Sequence, residues 1–220
     1  MSFVETMKEK ARQSIKTIVL PESTDPRVLK AAADVENEGF AKAVLVGDEE
    51  KIRQAANENN IDISKVTIVD HLKSDKFDEY VNKFYELRKA KGMTPEKARE
   101  IMKEEIYFGT MMVKTGDADG IVSGACHPTA HTLRPVLQIL KTAPGTKLAS
   151  AFFLMVTKCP EYGEDGVLIF ADSGMNEYPD AEGLSEIAIS SANSFRQLVG
   201  KEPRVAMLSY STYGSASSPL

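Results

Sequence analysis

The hydrophobic positions in the first seventy residues predict strands and helices in alternation. Short apolar runs rich in β-branched residues are typical of buried strands. Asp25 and Pro26 form an N-cap followed by proline at the first helical position, and Gly39 suits the end of that helix. The predicted strands are 17–20, 41–46 and 66–69, and the predicted helices are 3–16, 26–39 and 49–59. This β-α-β-α-β order with short connections predicts an α/β fold with a parallel, doubly wound sheet.

The next section is predicted to be helical. Phe77, Val81, Phe84 and Leu87 recur at steps of three and four residues. Further helices are predicted from Thr94-Pro95 and over 106–115. Arg88 lies late in the first of these helices beside Lys89 and Lys91, and such a basic cluster is typical of a solvated helix end.

The segment 119–145 contains the first candidate for a binding site. Its pattern predicts a strand over 119–122, a loop of small and hydroxyl residues over 123–130, and a helix over 131–141 that Pro144-Gly145 ends. A strand that leads through such a loop into a helix offers backbone N–H groups and a positive dipole end to an anion. Arg134 lies one turn into the helix, and its guanidinium suits phosphate. An ordinary strand–helix connection is the alternative.

The remainder of the chain has a different pattern. Apolar runs at 147–157 and 166–171 flank a polar turn and predict an antiparallel hairpin. A long helix is predicted from Pro179 to Leu198, followed by a last strand over 204–210 and a hydroxyl-rich loop over 209–215. The Pro144-Gly145 break predicts a domain boundary, which gives a first domain of 1–145 and the start of a second domain at 146–220.

Composition narrows the class of protein. Of the 220 residues, 42% are hydrophobic. The net charge of −5 argues against general nucleic-acid binding, because that function needs a basic face. The longest apolar run, 148–156, is far shorter than the ~20 residues that span a bilayer. The N-terminal stretch lacks the apolar core of a secretory signal. The two cysteines form neither a disulfide framework nor a metal-binding spacing, so a reduced, cytoplasmic setting is expected.

Other chemistry has weaker signals. His127 and His131 are separated by Pro128, which argues against a shared helix and therefore against a metal site. Cys126 beside His127 suggests a thiol nucleophile, but adjacent side chains rarely point at each other and no third, orienting group is evident. PESTDPR follows the first strand in place of a glycine-rich nucleotide fingerprint, and there is no phosphate-binding lysine motif.

Five segments together resemble the phosphotransacetylase (phosphate acetyltransferase) family, in order and spacing from near residue 17 to residue 216. They are IVLPESTDPRVLKAA, GFAKAVLVGD, DADGIVSGACHPTAHTLRPVLQILKTAPG, FADSGMNEYPDAEGLSEIAISSA and RVAMLSYSTYGSA. The resemblance implies two α/β domains related to the isocitrate/isopropylmalate dehydrogenase fold, with the second domain incomplete here, and a homodimer. It also implies transfer of an acetyl group between acetyl phosphate and coenzyme A, with coenzyme A as a substrate and no separate cofactor.

The resemblance also assigns residues. Arg134 in TLRP and Arg88 in ELRK match arginines that bind coenzyme A or its phosphates, and Ser123 and Thr129 would be loop hydroxyls that face the cleft. A surface charge at Arg88 and a structural turn at Ser123 are the alternatives. Pro128 stands where many relatives have a small hydroxyl residue, which puts one phosphate contact in doubt.

The family's catalytic serine, arginine and aspartate match no position here. They belong to a further segment of about a hundred residues, on the scale of a domain. No catalytic residue is therefore assigned, and the 220 residues are expected to be inactive alone. A phosphate butyryltransferase-like enzyme and a non-catalytic coenzyme A-binding module are the alternative functions.

Overall fold

The computed structural model describes residues 2–209 and 211–217, which fall into two compact units, 1–141 and 142–220. The first unit follows the predicted alternation of strands and helices. Its elements in chain order are α1 (Phe3–Arg12), β1 (Thr17–Leu20), α2 (Pro26–Glu38), β2 (Lys42–Val46), α3 (Glu49–Glu58), β3 (Thr67–Val69), α4 (Phe77–Arg88), a 3-10 turn (Lys89–Lys91), α5 (Pro95–Met102), α6 (Glu105–Thr115), β4 (Gly120–Ile121) and α7 (Thr129–Ile139).

The four strands form one parallel sheet in the order β3-β2-β1-β4. Val19 in β1 lies opposite Val44 in β2 on one side and opposite Ile121 in β4 on the other. The predicted α/β fold with a parallel sheet is thereby confirmed. Because β1 and β4 are neighbours that run in the same direction, the segments that follow them leave the sheet at the same edge.

Helices cover both faces of this sheet. Successive strand residues point to opposite faces. Leu20 and Leu45 pack with Leu29 of α2 and Ile52 of α3. The alternate positions pack on the other side against α4, α5 and α6, through a cluster that includes Val19, Val46, Phe84, Met102, Phe108 and Met111. Two apolar cores therefore fix the sheet that carries the loop after β4.

Local signals set the ends of α2 as the sequence predicts. The Asp25 carboxylate accepts a hydrogen bond from the N–H of Arg27, Pro26 occupies the first turn, and Gly39 ends the helix with φ of 67°. The positive φ is a conformation that glycine adopts without the steric cost a Cβ would bring.

The second unit contains the predicted hairpin. Strands β5 (Phe152–Val156) and β6 (Val167–Ala171) are antiparallel, and Phe153 lies opposite Phe170. Helix α8 (Ala181–Val199) begins at an Asp180 cap and ends at Gly200. No described helix is both long and apolar enough to cross a bilayer.

The predicted last strand is wrong over its described residues. Positions 204–209 form no strand, and Tyr210 lies outside the residues described. An apolar run becomes a strand only when another strand pairs with its backbone, and 204–209 have no such partner among the described residues. Leu208 is 85% exposed. The domain boundary between residues 145 and 146 stays a prediction.

Gly109 provides a test of the packing of α6 on the sheet. A Cβ added there would lie 2.8 Å from Cγ1 of Val19 in the buried strand β1. Although alanine favours helix, we expect Gly109→Ala to lower the free energy of unfolding by about 1–3 kcal/mol in urea denaturation, since overpacking forces the backbone or rotamers to shift. The same substitution in a Val19→Ala background should cost less, because the space is then open. Equal costs in both backgrounds would contradict the proposed close packing.

Candidate functional site

The segments after β1 and β4 meet at one edge of the sheet. Glu22 follows β1, and the loop 123–128 follows β4 and leads into α7. The Glu22 side chain is 2% exposed. Its Oε2 accepts hydrogen bonds from the N–H groups of Gly124 at 2.8 Å and Ala125 at 2.6 Å. Its Oε1 accepts from the N–H of Cys126 at 3.0 Å and from Nδ1 of His127 at 2.6 Å.

These donors keep Glu22 ionised. Burial by itself would raise the pKa of the carboxyl group, but the hydrogen bonds from Cys126, His127, Ala125 and Gly124 outweigh it and lower the pKa from 4.5 to about 2. The anion that these N–H groups bind is therefore a group of the protein itself. The N–H groups at 124–126 are occupied by Glu22 and do not face an open phosphate site.

Cys126 is held as a thiol. Burial raises its pKa, and the nearby Glu22 carboxylate raises it further, with a hydrogen bond across 3.5 Å from Sγ to Oε1. The expectation that Cys126 and His127 lie apart with no orienting group is wrong, since Sγ is 3.9 Å from Nδ1 and Glu22 binds both. A raised thiol pKa nevertheless disfavours a thiolate nucleophile.

His127 and His131 come together despite Pro128. Helix α7 begins at Thr129, two residues earlier than predicted, and Pro128 is its N-cap with φ of −65° and ψ of 153°. At this position proline removes no helical hydrogen bond. The two imidazole rings therefore lie 4.9 Å apart between centroids. His131 Nε2 is 3.2 Å from Oε2 of Glu104.

The end of α7 also differs from the prediction. The helix finishes at Ile139, and Lys141 has φ of 65°, so the turn comes before Pro144-Gly145.

One group of described residues has the side chains of a metal site. Ligand atoms of Glu22, Cys126 and His127 all lie within 4.8 Å of one another. Oε2 of Glu22 already accepts two donors and Oε1 accepts three, so a metal ion would have to displace the bonds from Cys126 Sγ and His127. The arrangement therefore fits a hydrogen-bonded anchor better than an ion, and the expectation of no metal remains a prediction.

The charges of both arginines that are predicted to bind substrate act on Tyr107 of α6. Arg88 ends α4 and is half-buried, and its Nε is buried without a hydrogen-bond partner among the described residues. Arg134 is exposed on α7. Burial and Glu104 raise the pKa of the Tyr107 hydroxyl, whereas the charges of Arg134 and Arg88 act to lower it. Both arginines thus lie within electrostatic reach of one buried side chain, which is 5% exposed.

The predicted hydroxyl residues have different environments. Ser123 Oγ is buried without a hydrogen-bond partner among the described residues, and so is Oγ1 of Thr132 one turn into α7. Thr129 is exposed at the first position of α7. The N–H groups of Thr129 and Ala130 also have no partner in the described part of the chain.

Sequence reasoning missed three contributors to the site, namely Glu22, Tyr107 and Thr132. Glu22 carried one detectable signal, a carboxylate directly after an apolar strand in IVLPES.

Comparison with known proteins shows to which family this chain belongs. A sequence model of the family described as Phosphate acetyl/butaryl transferase matches residues 2–220. The chain belongs to this family. The phosphate acetyltransferase of Acetivibrio thermocellus is 58% identical over 220 residues, and that of Thermoanaerobacterium thermosaccharolyticum is 56% identical over 220 residues. Each match covers 100% of this chain and 66% of the relative, so the chain spans slightly less than two thirds of their length.

Solved structures agree with this membership of the phosphate acetyl/butyryl transferase family. The EutD phosphotransacetylase from Staphylococcus aureus aligns with a TM-score of 0.84 at 41% identity, over 99% of this chain and 63% of that one. A phosphotransacetylase from Streptococcus pyogenes aligns with a TM-score of 0.87 at 37% identity, over 99% of this chain and 64% of that one. The roles of Arg88, Arg134, Ser123 and Thr129 in this member of the family remain predictions.

Glu22 gives this family member a pH-dependent stability. Because the folded pKa lies below the unfolded value, the contribution is full above pH 4.5 and is lost as pH falls through about 2. The shift corresponds to about 3 kcal/mol. We expect the difference in unfolding free energy between wild type and Glu22→Gln to be largest near pH 6 and to shrink steadily towards pH ~2.5, as measured by urea denaturation.

The matched control is Glu9→Gln, because the Glu9 side chain is 54% exposed in an ion pair with Arg12. Its effect should be small at every pH, since surface pairs contribute little. A Glu22→Gln difference that stayed constant over this range would contradict the assignment.

Proposed function

We propose that the full-length protein transfers an acetyl group between acetyl phosphate and coenzyme A. The proposal is supported by the family, by relatives that are named phosphate acetyltransferase and by the solved phosphotransacetylases. A base takes the proton of the coenzyme A thiol, the sulfur attacks the acetyl carbonyl, a C–S bond forms, and the C–O bond to phosphate breaks so that phosphate leaves. Coenzyme A is a substrate, and we propose no separate cofactor.

The observation that carries the proposal is the buried Nε of Arg88, which has no hydrogen-bond partner among the described residues. A buried donor without an acceptor is costly, so Nε of Arg88 needs an acceptor that the described residues do not supply. A phosphate of coenzyme A is such an acceptor, and guanidinium groups bind phosphate with strong, charge-assisted hydrogen bonds. Arg134, exposed on the neighbouring helix, supplies a second positive charge.

The loop after β4 and the start of α7 provide further hydrogen-bond donors that Glu22 does not use. The open N–H groups of Thr129 and Ala130 lie at the positive end of α7, and Ser123 Oγ is a buried hydroxyl without a partner in the described chain. Such preorganised donors stabilise charge that develops on a leaving phosphate, and fixing both substrates in line lowers the barrier further. We assign Ser123 and Thr129 to this role.

Three features of the whole protein belong to the same proposal. They are two α/β domains related to the isocitrate/isopropylmalate dehydrogenase fold, a homodimer and a cytoplasmic location. The first is supported by the parallel, helix-covered sheet of 1–141 and the separate compact unit of 142–220.

Two other functions are distinguished by measurement. The family description includes butyryl transfer, and the relatives named phosphate acetyltransferase favour the acetyl substrate. Comparing the rates of the full-length protein on acetyl phosphate and butyryl phosphate separates these two. A non-catalytic coenzyme A-binding module would bind coenzyme A and show no turnover even at full length.

Arg134 is the test of the binding site. We expect Arg134→Ala to raise the dissociation constant for coenzyme A by about 10- to 100-fold in calorimetric titration of the chain, because a charged hydrogen bond contributes about 1.5–3 kcal/mol. Arg53→Ala is the control, since Arg53 is an exposed arginine paired with Glu49 on α3. Equal affinities of wild type and Arg134→Ala would remove Arg134 from the site.

Activity gives a separate test. The chain spans 66% of the length of its relatives, and the resemblance to the family implies a catalytic serine, arginine and aspartate in a segment that these 220 residues do not include. We therefore expect the 220 residues alone to form no acetyl-CoA from acetyl phosphate and coenzyme A, while the full-length phosphate acetyltransferase of Acetivibrio thermocellus does so in the same assay. Robust turnover by the 220-residue chain would show that its own residues complete the site.

A further inference from the structure

The imidazole of His127 has one committed nitrogen and one free nitrogen. Nδ1 lies 2.6 Å from Oε1 of Glu22, and an ionised carboxylate only accepts hydrogen bonds. Nδ1 therefore carries the proton in the neutral ring. Nε2 makes no hydrogen bond within the described residues, and the side chain is 37% exposed. Glu22 thus selects the tautomer that leaves Nε2 available to a ligand.

The same carboxylate fixes the backbone that carries the ring. Three consecutive N–H groups, those of residues 124–126, point at Glu22. From the other side, the Arg27 guanidinium donates to the carbonyl oxygen of Ala125 at 2.6 Å and pairs with Asp25. The orientation of His127 is therefore set by contacts that span the edge of the sheet and not by its own short loop.

The surroundings of the ring suit an anionic ligand. The His131 ring lies 4.9 Å away, and His131 is bound in turn to Glu104. Next to His127, helix α7 begins with the N–H groups of Thr129 and Ala130, which have no partner in the described part of the chain. The ring thus stands between an internal carboxylate and an open helix N-terminus.

Exchange of Glu22 for a substrate phosphate is the competing interpretation. It would require a carboxylate that is 2% exposed to leave five donors. A buried charge without partners destabilises the fold far more than a buried charge that is paired. The contacts therefore favour a permanent anchor.

We propose that Glu22 is a positioning residue that holds His127 so that Nε2 forms a hydrogen bond with a phosphate oxygen of the substrate. The proposal rests on the proposed function for the identity of the ligand. In the neutral ring Nε2 is the acceptor of this bond, so its hydrogen comes from a protonated phosphate oxygen. His127 is thereby assigned to substrate binding beside Arg88 and Arg134.

Two variants separate the positioning role from the ligand contact. His127→Asn retains a donor near the position of Nδ1 and removes Nε2, whereas Glu22→Gln removes the charge and leaves one acceptor oxygen. In the 220-residue chain, imidazole ¹⁵N shifts report the tautomer of His127, and hydrogen exchange reports the amides of 124–126. Titration with coenzyme A and with inorganic phosphate gives the affinities. Glu9→Gln is the control.

We expect the Nδ1–H tautomer in the unaltered chain. Glu22→Gln should lose the tautomer preference, weaken amide protection at 124–126 by about tenfold or more, and weaken affinity for the phosphate-bearing probes by about tenfold. His127→Asn should retain the protection and still lose about tenfold in affinity. A purely structural role for His127 would leave that variant's affinity unchanged.

The outcomes that overturn the proposal are distinct. An Nε2–H tautomer in the unaltered chain would overturn the positioning role. A Glu22→Gln chain with unchanged tautomer and unchanged amide protection would also overturn it. The tautomer of the unaltered chain can be measured even if Glu22→Gln fails to fold. Wild-type affinity of His127→Asn for both probes would overturn the Nε2 contact. Failure of the unaltered chain to bind either probe would overturn that contact together with the proposed binding site, whereas the tautomer would still decide the role of Glu22.

Discussion

A buried carboxylate and a row of backbone N–H groups satisfy each other at the edge of the sheet in the first unit. Glu22 would be costly to bury alone, and the N–H groups of 124–126 would be costly to leave without acceptors. These hydrogen bonds depend on β1 and β4 lying side by side and in parallel, because only then do the segments that follow the two strands meet. The geometry of the candidate site therefore follows from strand order. Two apolar cores, one on each face, hold that order in place.

Elements with local signals could be predicted closely from the sequence. Strand β1 has the predicted bounds, and α2 begins after Asp25 and ends at Gly39, because capping and left-handed glycine act within a single turn. Other predictions failed where a distant partner decides the outcome. Residues 204–209 have a strand-like pattern but no pairing partner among the described residues, and a pattern cannot supply one. Glu22 and Gly124 are 102 positions apart, so no local window contains their contact.

The candidate site shows the same division. The basic neighbours of Arg88 predict a solvated helix end. Lys89 is solvated in this way, since it forms an exposed ion pair with Glu86. Arg88 itself is half-buried, and its Nε has no hydrogen-bond partner among the described residues, on a helix that packs against α6 and α7. The prediction from Pro128 also differs from the structure. A proline between His127 and His131 predicts side chains that do not face each other, whereas Pro128 is the N-cap of α7 and the two rings lie 4.9 Å apart.

In a second loop, a carboxylate also accepts hydrogen bonds from backbone N–H groups, here from residues close to it in sequence. The Asp172 carboxylate accepts hydrogen bonds from the N–H groups of Gly174 and Met175, both at 2.7 Å. This contact is local and typical of Asp in turns, whereas Glu22 comes from a different strand. In both loops a glycine-containing segment after a strand offers N–H groups to an anion, and an internal carboxylate occupies them. Such a loop is therefore evidence of anion binding only after the carboxylates of the protein have been placed. In the loop after β4, Glu22 occupies the N–H groups of 124–126, and we therefore expect a substrate phosphate at the groups that Glu22 leaves free, namely Nε of Arg88, Arg134 and the first N–H groups of α7.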